Sequence, residues 1–233
     1  MRRKLPAEAT WLTRILSATS GAKRDEFMEA ARLAAAVTLL VAGRDSRART
    51  VALAGLTVTS ALRHRRYGFQ SDGSEQLLFQ VQLASTTARL GGKNTRIADA
   101  CLWYVSLQAA LAYTVAGYSK LAGAHWRSGK ALPGIIRTET YGSGAAFRWA
   151  TRHPRTTRLA GYATIGGECL FPLIFFVDNG KSAPLFLLPV GGFHLANSGV
   201  MGLGRFFWAF TSSYPALLYT THKRASKAET LGH

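Results

Sequence analysis

The chain has 233 residues, 48% of them hydrophobic, with 29 Lys or Arg against 12 Asp or Glu and a formal net charge of +17. That length suits one domain or one helical bundle, and only two cysteines, each inside an apolar run, leave no disulfide framework or metal spacing. So basic a chain suits nucleic acid or an anionic membrane surface, but its charges (Arg44, Arg47 and Arg49; Arg63, Arg65 and Arg66; Arg89, Lys93 and Arg96) fall between apolar runs like loop decoration, so no nucleic-acid partner is expected.

Residues 1–24 begin with Arg2, Arg3 and Lys4 and lack the apolar core of a signal peptide. Trp11, Leu12, Ile15 and Leu16 recur at helical spacing, which predicts a short basic helix lying on a membrane interface. Residues 27–42 are a first candidate span, and 50–62 a short tilted span or re-entrant helix. Asp72 can cap a helix over 75–90, whose Gln76, Gln80 and Gln82 require one inward-looking face. The run 97–122 is the clearest span, with Trp103 and Tyr104 placed for an interfacial belt. The basic stretch 123–157 is expected to pack on the end of the bundle as one or two short helices. A span over 159–177 is broken by Pro172, and Asp178-Asn179-Gly180 marks a turn. Pro184, Pro189 and Gly191-Gly192 interrupt the next apolar segment, and a long final helix is expected from about Phe193.

Uncharged runs at 100–119, 182–204 and 206–222, with 159–177 carrying only Glu168, predict an all-α, polytopic integral membrane bundle of about five to seven spans. The bundle covers 25–220, with 221–233 as a basic C-terminal tail, and a bacterial inner or plasma membrane is the expected location. Basic loops on both sides leave the orientation open, although both termini are basic, as cytoplasmic ends are.

Few ionisable groups interrupt these runs, and such groups mark function or pairing. Lys120 closes the uncharged run 100–119; it is either a lysine snorkelling to the headgroups or a partly desolvated base. His194, Asn197, Ser198 and Met201 share one helical face, as an interhelical hydrogen-bond network or a site. Arg205 continues that stripe, with Glu168 as its expected structural partner. No phosphate-binding glycine loop, nucleophile elbow or metal-ligand spacing occurs.

Two stretches carry a resemblance. Residues 116–132 (AGYSKLAGAHWRSGKAL) pair Ala-Gly with Lys-Leu, Trp and Gly; residues 193–213 (FHLANSGVMGLGRFFWAFTSS) pair Phe-His with Asn-Ser, Gly and Ser-Ser. Both blocks resemble the vitamin K-dependent γ-glutamyl carboxylase family and its bacterial relatives, the horizontally transferred transmembrane (HTTM) domain. The resemblance implies a base, Lys120, that deprotonates a reduced naphthoquinone (vitamin K hydroquinone or menaquinol). Reaction with O2 then yields an alkoxide strong enough to remove a γ-proton from glutamate, CO2 is taken up, and the quinone leaves as an epoxide. His194 would share the catalytic site, and Asn197, Ser198, Tyr113 and Trp126 would contact the quinol. The partners implied are the bilayer, a lipophilic quinol and a peptide or small-molecule substrate. The family's Asn-His pair has no counterpart in Asp72–Gln76, which reads Asp-Gly-Ser-Glu-Gln. A quinol oxygenase or epoxidase is therefore expected ahead of peptide carboxylation. The alternative is a non-catalytic, DoxX-like accessory protein that binds quinone.

Overall fold

The computed structural model describes residues 22–67 and 72–231, and every regular element among them is helical. The expected interfacial helix around Trp11 lies outside the described residues. In chain order the helices are α1 (Ala22–Val41), α2 (Arg47–Tyr67), α3 (Gly73–Leu90), α4 (Thr95–Ala122), α5 (Ala124–Arg127), α6 (Ala131–Ile136), α7 (Gly144–Arg152) and α8 (Pro154–Cys169). Two 3-10 turns, Phe171–Phe175 and Asp178–Gly180, lead to α9 (Ala183–Met201), α10 (Gly204–Thr211) and α11 (Tyr214–Leu231).

Local chemistry sets most boundaries. Asp72 caps α3 by accepting from the Ser74 and Glu75 N–H groups at 3.0 and 3.1 Å. Asn94 does the same for α4 through Arg96 and Ile97, and Pro154 sits in the first turn of α8, where its missing N–H costs nothing. The expected short run 50–62 is part of a longer helix, because α2 continues through the Arg63–Arg66 cluster. The basic stretch 123–157 forms three short helices and the start of α8 rather than one or two. The single long helix expected from Phe193 is three helices instead. Gly202 takes a left-handed conformation (φ 69°) and its N–H donates to the Asn197 carbonyl, ending α9. Ser212 and Ser213 form the second break. Pro189, expected to interrupt the segment, lies inside α9.

α4 is the central post, with α3, α8 and α11 packed around it; α2 packs on α3 and α1 on α2, while α10 packs on α3 and on α9, which also touches α11. It is the one helix among the described residues that is long and apolar enough to cross a membrane by length and composition. Much of what the helices bury against one another is polar. Thr57 and Thr86 hydroxyls meet at 2.9 Å, Ser60 donates to Gln82 Oε1 at 2.8 Å, and Thr220 donates to Ser106 at 3.0 Å. Arg32 donates to Thr59 and Ser60, joining α1 to that network. Of the three glutamines on α3, Gln82 is the one buried, while Gln76 is exposed. Large aliphatic side chains lie on the outside: Leu40 is 85% exposed, Leu185 and Leu188 are each 69% exposed, and Leu107, Leu111 and Val115 form an exposed stripe along α4.

Asp72 has a second duty, an ion pair with Arg205 at the start of α10 (2.8 Å). Asp72→Ala is expected to lower stability by about 1–2 kcal/mol, mostly through the lost cap, measured as a drop in the thermal unfolding midpoint; an unchanged midpoint would contradict the capping role.

Candidate functional site

Gly117 on α4 decides how the site is built. A Cβ at this position would lie 2.6 Å from the Cys169 backbone nitrogen and 2.9 Å from the Glu168 carbonyl carbon. Only glycine lets the backbones of α4 and α8 approach this closely. One turn further along α4, Lys120 then reaches Glu168 in the last turn of α8, and its Nζ donates to Glu168 Oε2 at 2.5 Å. Glu168 is 9% exposed. Lys120 Nζ also lies over the Trp126 ring of α5, 5.5 Å from its centroid, a placement that attracts a cation.

The expected Glu168–Arg205 pair does not form. A stripe from His194 to Arg205 requires one continuous helix, but the left-handed turn at Gly202 redirects the chain. Arg205 therefore meets Asp72 and, at 3.7 Å, Glu75. Glu168 takes Lys120 as its partner, so the two groups treated separately in the sequence form one unit.

Tyr113 and His194 form the second polar contact. The Tyr113 hydroxyl and His194 Nε2 are 2.9 Å apart and both side chains are buried. Their rings stack with Phe171 and Phe210: Tyr113 on Phe171 at 4.2 Å between centroids, and His194 on Phe210 at 4.5 Å. His194 Nδ1 is buried without a hydrogen-bond partner among the described residues, a costly state for a polar atom. Tyr113 is two turns before Lys120 on the same face of α4, so both contacts face the α8 and α9 side of the bundle.

A cavity of about 840 Å³ opens there between α4, α8, the Phe171–Phe175 turn and α9. Its walls are apolar, from Leu170, Phe171, Val177, Phe186, Val190 and Phe193, and Gly166 and Gly167 leave its α8 side without bulky side chains. Two of its lining residues, Tyr113 and Glu168, carry the polar contacts just described. Lys120 is joined to the cavity through Glu168, and His194 through Tyr113.

The other residues singled out from the sequence lie elsewhere. Ser198 faces the α9–α10 turn, with its Oγ 3.3 Å from where a Cβ on Gly204 would stand. Asn197 is half-buried, and its backbone carbonyl ends α9. Trp126 contributes to a separate cleft of about 760 Å³ beneath the short helices, with His125, Ile135 and Phe147. The structure thus brings Lys120, Tyr113 and His194 to one region and adds Glu168, but Asn197 and Ser198 do not line the cavity. The one sequence signal for Glu168 was that an isolated carboxylate and an isolated ammonium inside apolar runs both need a partner. Among the described residues no group of His, Cys, Asp and Glu is placed to hold a metal ion.

Replacing Gly117 with Val is expected to push α4 from α8 and to destabilise the protein by about 1–3 kcal/mol. A thermal unfolding midpoint equal to that of the wild type would show that the close approach is not needed. No protein-family model, no characterised protein and no solved structure matches this chain.

Proposed function

We propose that this chain is a multi-pass membrane protein that binds a reduced naphthoquinone in the cavity between α4, α8 and α9 and acts on it as a quinol-dependent oxygenase or carboxylase-like enzyme. The observation that carries the reading is an ion pair between half-buried Lys120 and buried Glu168, with Glu168 on the wall of a large apolar cavity. Burying charge there is expensive, and ionisable groups kept at such sites are commonly functional.

Several features support the membrane setting. Polar side chains are paired between the helices while leucine, valine and aromatic residues cover the outside, the arrangement expected where lipid is the solvent. α4 has the length and composition of a span. α9 has 19 residues and no Lys, Arg, Asp or Glu. The short basic helices α5–α7, with an exposed Trp149, suit the headgroup region.

The residues present fit a lipophilic quinol. The cavity lies within the size range of small-molecule sites, roughly 300–1,000 Å³, and its polar side chains are few: Tyr113, Thr164, Glu168 and Ser182. Once bound, such a quinol supplies the chemistry with O2 that the sequence resemblance implies, a strong base for proton removal. The chain's own part is to bind, to exclude water with its apolar walls, to move the first proton at the Lys120–Glu168 pair, and to orient the ring system with Tyr113. The assignment to the carboxylase-like family rests on the residue blocks around Lys120 and His194.

The test is epoxide formation by purified protein supplied with vitamin K hydroquinone or menaquinol and O2. Lys120→Ala is expected to abolish it while binding of the oxidised quinone persists. Activity that survives Lys120→Ala would remove Lys120 from the reaction. A second reading is a non-catalytic quinone-binding accessory protein of the DoxX-like type, favoured by Asn197 and Ser198 lying outside the cavity. It gains ground if the wild type binds quinone but makes no epoxide from any quinol supplied.

A further inference from the structure

The resemblance gives the proton-accepting role to the lysine, but the arrangement of the pair divides the labour differently. Glu168 lines the cavity, whereas Lys120 is not among its lining residues. Glu168 Oε2 is committed to Lys120 Nζ, and the other carboxylate oxygen has no hydrogen-bond partner among the described residues. Lys120 Nζ donates to the Glu168 carboxylate and lies over the face of the Trp126 ring, the two contacts an ammonium makes. A lysine acting as base must instead be a neutral amine.

We propose that Glu168, rather than Lys120, receives the proton released by a hydroxyl bound in the cavity, and that Lys120 remains an ammonium balancing the charge left on the ligand oxygen. This rests on the reading that the cavity takes a quinol. The O–H bond of the ligand breaks, its electron pair stays on the ligand oxygen, and the proton bonds to the free oxygen of Glu168. The pair begins as one cation and one anion, and the site holds one cation and one anion afterwards. No net charge is added to an apolar wall, where each uncompensated ion costs several kcal/mol. Transfer to a neutral Lys120 would reach the same final state but would have to start with the proton already on Glu168.

The two assignments predict opposite results for two variants. Glu168→Gln copies the protonated acid: it removes the acceptor under our proposal, yet leaves a lysine base in working order. Lys120→Arg keeps the positive charge while being unable to accept a proton. The probe is α-naphthol, a weak acid whose absorption shifts to longer wavelength on ionisation. It is added to the purified wild type and variants, with binding followed by equilibrium dialysis. Wild type is expected to bind it as the ion and to gain an infrared band from a protonated carboxyl group. Lys120→Arg should retain both signals, and Glu168→Gln should bind naphthol but lose both.

The ionised spectrum persisting in Glu168→Gln overturns the proposal, as does its loss from an Arg variant that still binds naphthol. Wild type that binds naphthol only in its neutral form, or not at all, overturns it as well. Should Lys120→Arg not fold, the Gln variant decides alone. Epoxide formation with a naphthoquinol and O2 is measured separately on the wild type. Absence of epoxide alongside the expected naphthol signals would sink the oxygenase reading and support the proton assignment; epoxide from wild type alongside an ionised spectrum in Glu168→Gln would do the reverse.

Discussion

An ammonium and a carboxylate withdrawn from water each cost several kcal/mol, and their attraction offsets that only when the contact is close and well oriented. Lys120 and Glu168 meet this requirement at 2.5 Å, and the surrounding architecture is what makes the contact possible. α4 and α8 must touch at the backbone, which demands glycine at position 117. α8 must then stop at Cys169, and the Pro172-containing 3-10 turn must lead the chain away, leaving a space that α9 borders without filling. The cavity and the ion pair are thus two results of one close approach between helices.

The same accounting of polar groups runs through the rest of the bundle. Hydroxyls on α2 meet a hydroxyl and an amide on α3, a threonine on α11 meets a serine on α4, and Arg32 ties α1 to α2. Arg63 pairs with Glu29 and, at 3.9 Å, with Glu75, while Arg205 joins Asp72. Buried polar side chains thus mostly find partners between helices, whereas Arg96, Arg148, Arg152 and Arg155 stand exposed on theirs. The unpartnered His194 Nδ1 is a departure from that pairing close to the cavity, and the carboxylate oxygen of Glu168 not held by Lys120 is available to a ligand there.

Particular elements show how far the residues could be read in advance. The all-α class, the Asp72 cap, the long apolar helix around 97–122 and the stop near Pro172 followed from signals carried within a few residues: helical periodicity, side-chain capping and the missing N–H of proline. The final segment was not legible in the same way, because Gly202 in an apolar run can continue a helix or end it, and the left-handed turn accompanies the packing of α10 against α3. With that turn went the expected Glu168–Arg205 pair, since a helical stripe has meaning only while the helix is continuous.

The sequence by itself determined the kinds of group available: one lysine closing an uncharged run, one carboxylate within another, a buried-type histidine, and apolar surface enough to cover them. Those properties depend on residue type and on spacing along one helix, which local chemistry governs. Which ammonium meets which carboxylate, and which of the two borders the cavity, was decided only by the tertiary structure. Lys120 and Glu168 are 48 positions apart, and their meeting depends on the separation of two helix backbones at Gly117, a distance that no local pattern encodes.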